Sequence, residues 1–97
     1  MEDSVRKHRI LVVDDESGIV NAVRRELSTP PFGRHRYEVE GFTSPLQALE
    51  RAKVQEFDAV LSDYRMPEMN GLDFIKALVR IQPDCTRIVL SGMSLLP

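Results

Sequence analysis

The amino-acid sequence predicts an α/β fold in which helices cover both faces of a parallel sheet. Short apolar runs suited to strands alternate with segments of helical period, in the order β-α-β-α-β-α-β. A crossover helix between two strands brings the second strand parallel to the first, so this alternation indicates one parallel sheet. The 97 residues allow a single domain, and the hydrophobic content of 42% is that of a globular chain.

The first strand is predicted at Ile10–Val13, a branched apolar run suited to burial on both faces. The next segment carries apolar residues at helical spacing. These residues are Ile19, Val20, Val23 and Leu27. The pattern predicts an amphipathic helix that starts near Glu16 or Ser17 and ends before Pro30.

The second strand and helix are predicted at Tyr37–Phe42 and from Ser44 onward. Apolar residues alternate with glutamates along the strand, although Gly41 interrupts the alternation. Ser44 offers a capping hydroxyl, and Pro45 suits the first position of a helix. The apolar spacing predicts a buried stripe made of Leu46, Leu49 and Ala52.

Two further strands enclose the third helix. Phe57–Leu61 predicts the third strand, and a loop containing proline and glycine follows it at residues 64–71. The third helix is expected to end at Pro83, and Ile88–Leu90 predicts the fourth strand. The predicted buried stripe of the third helix is Leu72, Ile75, Leu78 and Val79.

Composition excludes several classes of protein. The net charge of −2 argues against a nucleic-acid binder that works by bulk charge. The one cysteine, Cys85, excludes an internal disulfide framework and a multi-cysteine zinc site. The apolar runs are too short for a membrane span or a signal peptide, so we expect a cytoplasmic protein. Met1–His8 is polar and predicts a loose tail, which leaves residues 9–97 as the domain.

Acidic and hydroxyl side chains follow three of the predicted strands. Asp14 and Asp15 come after the first strand, Asp63 after the third and Ser91 after the fourth. Ligands of open parallel sheets bind at the carboxyl ends of the strands. A lone aspartate there often caps a turn, but three together favour a hard cation such as Mg²⁺ and phosphoryl chemistry. One of the carboxylates would then be the nucleophile, and Ser91 would donate to a phosphoryl oxygen.

Three motifs at these strand ends occur together in a known family. They are ILVVDDE at residues 10–16, DYRMPEMNG at 63–71 and IVLSG at 88–92. This set resembles the receiver domain of bacterial two-component response regulators, and the second motif is the most specific of the three. The resemblance implies a flavodoxin-like (CheY-like) three-layer fold with the strand order 2-1-3-4 over this length.

The resemblance also implies a role for each site residue. Asp63 would accept the phosphoryl group from a sensor histidine kinase, without turnover as an enzyme. Mg²⁺ would be held by Asp15 directly, by Asp14 through water, by Asp63 and by the backbone carbonyl of Arg65. Ser91 would be the hydroxyl that moves toward the phosphoryl group.

Family members continue past the fourth strand with a helix, a fifth strand and a last helix, so we expect these elements to be lacking here. The family's phosphoryl-contacting lysine lies on that fifth strand. The fourth strand would then be an edge of the sheet, whose free backbone groups can pair with another chain. We therefore expect a homodimer that forms through Thr86–Leu90 or through the sheet face beside it.

Two other functions remain open at this point. The chain could be a receiver-like interaction module that is never phosphorylated. It could also be an aspartate-nucleophile phosphatase of the haloacid dehalogenase class, which uses an Asp-x-Asp pattern after its first strand. The sequence Asp14-Asp15-Glu16 departs from that pattern, which makes the phosphatase the weaker alternative.

Overall fold

The computed structural model describes residues 7–29 and 37–90. Two of the sequence predictions fall on other residues. Ser91, the predicted switch hydroxyl, lies outside the described residues, as do residues 1–6 of the predicted tail. His8, which was assigned to the same tail, belongs to the first strand.

Four parallel strands form one sheet in the order β2-β1-β3-β4, which confirms the predicted fold class and topology. The strands and helices alternate along the chain as the sequence predicts. Their bounds are β1 His8–Val13, α1 Ser17–Ser28, β2 Tyr37–Phe42, α2 Pro45–Ala52, β3 Ala59–Asp63, α3 Gly71–Ile81 and β4 Thr86–Leu90. None of the helices in the described part of the chain has the length and apolar character needed to span a bilayer.

Three strands begin at a different residue from the one predicted, and β3 also ends two residues later than predicted, at Asp63. β1 begins at His8 because the first residues pair in register with β2, with His8 opposite Tyr37. β3 begins at Ala59, two residues later than predicted, although Phe57 is still buried before the strand. β4 begins at Thr86, whose N–H donates to the Asp58 carbonyl at 3.0 Å. Polar residues thus extend three strands beyond the apolar runs that predicted them, at the start of β1 and β4 and at the end of β3.

Alternate residues of β1 face two separate apolar layers. Leu11 and Val13 belong to the larger cluster, on the face covered by α2 and α3. Ile10 and Val12 pack with Val20 of α1 on the other face. All four are less than one-tenth exposed, so β1 is buried on both faces as its composition predicts.

Most of the buried stripe predicted for each helix is confirmed. The predicted residues that are buried are Val20, Ala52, Ile75 and Leu78, and those that pack partly buried against the cores are Val23, Leu27, Leu49 and Val79. Ile19, Leu46 and Leu72 were predicted to be buried, but they are 41%, 50% and 48% exposed. The helix side chains that are buried in the cores are Val20 in α1, Pro45, Ala48 and Ala52 in α2, and Phe74, Ile75 and Leu78 in α3. The predicted stripes are therefore wrong only at the first large apolar residue of each helix, and they miss Pro45, Ala48 and Phe74, which enter the core instead.

Gly41 interrupts the apolar alternation of β2 because α1 lies directly over it. A Cβ at this position would overlap Cγ1 of Val20 and would lie 3.0 Å from the Arg24 guanidinium. Val20 is the fully packed residue of α1 and is 4% exposed. The missing side chain of Gly41 therefore sets how closely the first helix approaches the sheet.

A buried amide holds the amino-terminal edge of the sheet together. Gln82 is 9% exposed and makes three hydrogen bonds through its side chain. Its Oε1 accepts from the Phe57 N–H at 2.8 Å. Its Nε2 donates to the carbonyls of Ala52 and Gln55, at 2.8 and 2.6 Å. One side chain thus satisfies backbone groups at the end of α2 and before β3.

We predict that Gly41→Ala destabilises the protein by about 1 to 3 kcal/mol, the usual cost of overpacking a filled site. Urea unfolding measures the change. Gly18→Ala is the matched control, because a Cβ on Gly18 of α1 meets nothing within 4 Å. That variant should be stabilised by about 0.5–1 kcal/mol through helix propensity. Equal effects of the two substitutions would contradict the packing argument.

Candidate functional site

The register of the sheet brings two acidic side chains level with each other. Val13 of β1 pairs with Ser62 of β3. The next residue in each strand direction is an aspartate, Asp14 after β1 and Asp63 at the end of β3. Both therefore lie at the carboxyl edge of the sheet, where ligands of parallel α/β sheets bind.

Asp14, Asp15 and Asp63 form a cluster at this edge. One carboxylate oxygen from each of the three lies within 4.8 Å of the others. Asp14 is buried, Asp63 is half-buried and Asp15 is exposed. Within residues 7–29 and 37–90, no lysine or arginine forms an ion pair with any of the three. The cluster therefore concentrates negative charge without a cationic partner in the described chain.

Asp14 combines a turn contact with an unfavourable position for a charge. Its Oδ1 accepts from the Glu16 N–H at 2.9 Å, so this aspartate does cap the turn before α1. Its backbone N–H donates to the Phe42 carbonyl at 3.1 Å, which ties it to the end of β2. Burial raises the pKa of Asp14 above its ordinary value, and the neighbouring carboxylates of Asp63 and Asp15 raise it further, against the lowering effect of the Glu16 bond.

Backbone contacts on two sides fix Asp63. The N–H of the next residue, Tyr64, donates to the Leu90 carbonyl of β4 at 2.9 Å. On the other side, the Gly71 N–H donates to the Tyr64 carbonyl at 2.7 Å. A Cβ on Gly71 would overlap the Asp63 carbonyl oxygen, so only glycine lets α3 start this close to β3.

The β3–α3 loop, residues 64–70, forms one wall of the site. Met66 turns into the larger core and is 8% exposed, while Arg65 beside it is exposed. Asn70 caps α3, since its Oδ1 accepts from the Asp73 N–H at 2.8 Å. A cavity of about 450 Å³ lies along the loop, and it is lined by Asp15, Tyr64, Arg65, Met66, Pro67 and Asn70.

A larger cavity, of about 720 Å³, lies at the opposite edge of the sheet, beside Gln82 and Cys85. It contains none of the aspartates of the acidic cluster. Burial raises the pKa of the Cys85 thiol, which keeps that side chain in its neutral, unreactive form. The larger cavity therefore lacks the reactive groups found at the carboxyl edge.

The residues present fit a hard divalent cation. The three clustered ligands are all carboxylates, and oxygen is the donor that Mg²⁺ and Ca²⁺ prefer. A cation would also relieve the repulsion that raises the pKa of Asp14. The structure thus brings together three of the predicted site residues and places Arg65 in the adjoining loop.

Sequence reasoning missed a contact beside the site. The Ser44 hydroxyl donates to Oε1 of Glu68 at 2.7 Å and joins the start of α2 to the β3–α3 loop. Ser44 was predicted only as a helix cap, which it also is, since its Oγ accepts from the Gln47 N–H at 3.2 Å. The two residues are 24 positions apart, so no local pattern signals the contact.

The model of the response regulator receiver domain matches residues 10–96 of the sequence. The chain belongs to this family. The resemblance inferred from the three motifs is thereby confirmed, and the described strand order agrees with it. Receiver domains act in two-component signal transduction, where they take phosphoryl groups from sensor histidine kinases.

Relatives of this receiver domain include the chemotaxis protein CheY of Thermotoga maritima. The two are 37% identical over 86 residues, which are 88% of this chain and 68% of CheY. Among solved structures, a CheY-like receiver domain from Methanospirillum hungatei superposes with a TM-score of 0.81 at 25% identity, over 94% of this chain and 69% of the other.

A response regulator from Burkholderia pseudomallei, solved with a phosphorylated aspartic acid, a calcium ion and citrate, gives a TM-score of 0.77 at 27% identity. The match covers 92% of this chain and 49% of that one. The chain spans smaller shares of several other curated relatives, such as 16% of the hydrogenase regulator HoxA from Bradyrhizobium diazoefficiens. The comparisons therefore identify a receiver domain and leave the activity of any larger protein open.

We predict that Asp14→Asn stabilises the domain at neutral pH when no divalent cation is present. Asparagine keeps an oxygen that can accept from the Glu16 N–H, but it removes the buried charge. Because the pKa of Asp14 is raised on folding, the wild type loses stability as the pH rises from 3.8, the ordinary value, through the raised value. Urea midpoints with EDTA should therefore be higher for the variant at pH 7 and equal below the ordinary value.

Asp84→Asn is the control for this comparison. Asp84 is an exposed acid that precedes β4, at the opposite edge of the sheet. Its substitution should leave the urea midpoint nearly unchanged at both pH values. Equal midpoints for Asp14→Asn and the wild type at pH 7 would show that the buried carboxylate costs no stability.

Proposed function

We propose that this receiver domain accepts a phosphoryl group on Asp63 from the phosphohistidine of a sensor histidine kinase, in a reaction that depends on Mg²⁺. The observation that carries the proposal is the cluster of three carboxylates within 4.8 Å, with Asp63 at the end of β3. The cytoplasmic location expected from the sequence belongs to the same proposal.

Each residue of the site has a separate role in this proposal. Asp15 would bind Mg²⁺ directly, Asp14 would hold it through water, and Asp63 and the backbone carbonyl of Arg65 would complete the protein ligands. When bound, Mg²⁺ neutralises charge on the carboxylate and phosphoryl oxygens during transfer. Ser91 would donate its hydroxyl proton to a phosphoryl oxygen after transfer.

The transfer itself exchanges one bond at phosphorus. A carboxylate oxygen of Asp63 forms the new O–P bond while the N–P bond to the donor imidazole breaks, and the imidazole leaves with the electron pair. The product is an aspartyl-phosphate on this chain and a dephosphorylated histidine on the donor. The protein is thus a stoichiometric acceptor in this proposal, and turnover as an enzyme is not part of it.

Two observations support Asp63 as the acceptor. It is half-buried, which leaves its carboxylate open to a donor, whereas Asp14 is buried and already bonded to Glu16. The similar response regulator from Burkholderia pseudomallei was solved with a phosphorylated aspartic acid and a calcium ion. That precedent belongs to the other protein, and it shows that this fold can carry both groups.

We predict that acetyl phosphate with Mg²⁺ adds one phosphoryl group to the wild-type chain, as measured by intact mass. The adduct should be labile to base, as expected of an acyl phosphate, and it should map to Asp63. Asp63→Asn should remove it, and Asp15→Asn should slow its formation by at least about tenfold because a metal ligand is lost.

The other outcomes separate the alternatives. An adduct that persists in Asp63→Asn would move the nucleophile to another residue. Steady release of inorganic phosphate from a generic phosphomonoester would favour a phosphatase. A folded wild type that binds a histidine kinase but never gains the mass would favour an interaction module without phosphorylation.

A second copy of the chain is the partner we propose for β4. In the described part of the sheet, β4 pairs with β3 on one side only. All five of its residues are exposed, and Ile88, Val89 and Leu90 are 43%, 38% and 43% exposed. Antiparallel pairing of two β4 strands about Ile88 would set Arg87 opposite Val89 of the partner, so like charges would not face each other.

We predict that the 97-residue chain forms a dimer at micromolar concentration, as measured by light scattering after size exclusion. Ile88→Lys should make it monomeric, because a charge would lie on the pairing axis. Val54→Lys is the control, since Val54 is 76% exposed and lies outside β4. A monomeric wild type with a cooperative thermal transition would refute the dimer.

A further inference from the structure

The β3–α3 loop is attached to the rest of the domain at several points. Its first residue, Tyr64, is bonded to Leu90 of β4 and to Gly71 of α3. Met66 is held in the core, and Asn70 is held as the cap of α3. These attachments join the loop to β4, to α3 and to the larger core, whereas Pro67 and Glu68 in the middle of the loop are exposed.

The hydrogen bond between Ser44 and Glu68 joins the middle of this loop to the start of α2. The Ser44 hydroxyl has one proton, and it donates it to Oε1 of Glu68 at 2.7 Å. A lone pair of the same oxygen accepts from the Gln47 N–H at 3.2 Å, which fixes the hydroxyl at the start of α2.

Ser44 is in turn close in sequence to a residue that holds the acidic cluster. Phe42, two positions earlier, accepts from the backbone N–H of Asp14 at 3.1 Å. The path from Asp14 through Phe42 and Ser44 to Glu68 therefore connects the segment after β1 with the β3–α3 loop. Arg65, whose carbonyl is a proposed metal ligand, lies in that loop three residues before Glu68.

We propose that Ser44 and Glu68 are positioning residues, which hold the β3–α3 loop so that the Arg65 carbonyl faces the carboxylates of Asp14, Asp15 and Asp63. This inference rests on the proposed metal site. Both side chains are at the surface, where a single hydrogen bond adds little to folding stability. The effect of the pair is therefore expected in the metal affinity and the order of the loop.

Substitutions of Glu68 separate the bond from the charge. Glu68→Gln removes the charge but keeps an oxygen that accepts the Ser44 proton, whereas Glu68→Ala removes both. Glu26→Ala is the matched control, because Glu26 is an exposed glutamate near the carboxyl end of α1, whereas Asp15 precedes the start of that helix. Each variant is compared with the wild type by calorimetric titration with Mg²⁺ and by amide hydrogen exchange without metal.

Glu68→Ala should weaken Mg²⁺ binding on the order of threefold to tenfold. Removing a residue that hydrogen-bonds to a metal ligand usually lowers metal affinity by that much or more. It should also speed amide exchange in the β3–α3 loop without metal. Glu68→Gln and Glu26→Ala should stay near the wild type in both measurements. Ser44→Ala alone should weaken Mg²⁺ binding as much as Glu68→Ala does. The double variant should bind no more weakly than either single variant, because the two residues share one bond.

Three results would overturn the inference. Wild-type affinity in Glu68→Ala would show that the bond positions nothing. Equal losses of Mg²⁺ affinity in Glu68→Gln and Glu68→Ala would show that the charge of Glu68, and not its hydrogen bond, is responsible for the effect. If Asp15→Asn leaves Mg²⁺ binding unchanged, the proposed metal site itself is wrong. Faster amide exchange of the loop in Glu68→Ala would in that case show that the bond orders the loop and has no role in metal binding.

Discussion

Apolar side chains with no chemical role of their own hold the register in which β1 pairs with β3. Val13 of β1 and Val60 of β3 are fully buried in the larger core, and Val13 pairs with Ser62. A slip of one residue would turn each of these side chains to the wrong face of the sheet. The same packing sets the separation of Asp14 and Asp63, so the geometry of the acidic cluster depends on the core beneath it.

The acidic cluster opposes the stability of the fold that builds it. Burial and neighbouring carboxylates raise the pKa of Asp14, which means that the ionised form is held in an unfavourable place. Contacts around the cluster hold it in place despite this cost. Gly71 packs against the backbone of Asp63, and Met66 anchors the adjoining loop in the core. The fold itself thus holds the three carboxylates close together.

The sequence was sufficient for the topology and for the residues of the cluster, because both follow from where apolar runs end and acids begin. It was insufficient for the limits of each buried helix face, since Ile19, Leu46 and Leu72 were predicted to be buried yet lie at the surface. Which side of a helix meets the sheet is decided by tertiary contacts, such as Val20 over Gly41, that no single segment contains. The bond from Ser44 to Glu68 was hidden for the same reason.

The amide of Gln82 has a consequence for how this domain tolerates chemical change. Its nitrogen donates to two backbone carbonyls, and its oxygen accepts from one N–H. Deamidation, or substitution by glutamate, would replace the NH₂ group of the side chain with an oxygen and keep the shape of the side chain. It would nevertheless turn the donor into an acceptor that faces two carbonyl oxygens, so both hydrogen bonds to the carbonyls of Ala52 and Gln55 would be lost. Deamidation of Gln82 alone would thus weaken the edge of the sheet that lies opposite the acidic cluster.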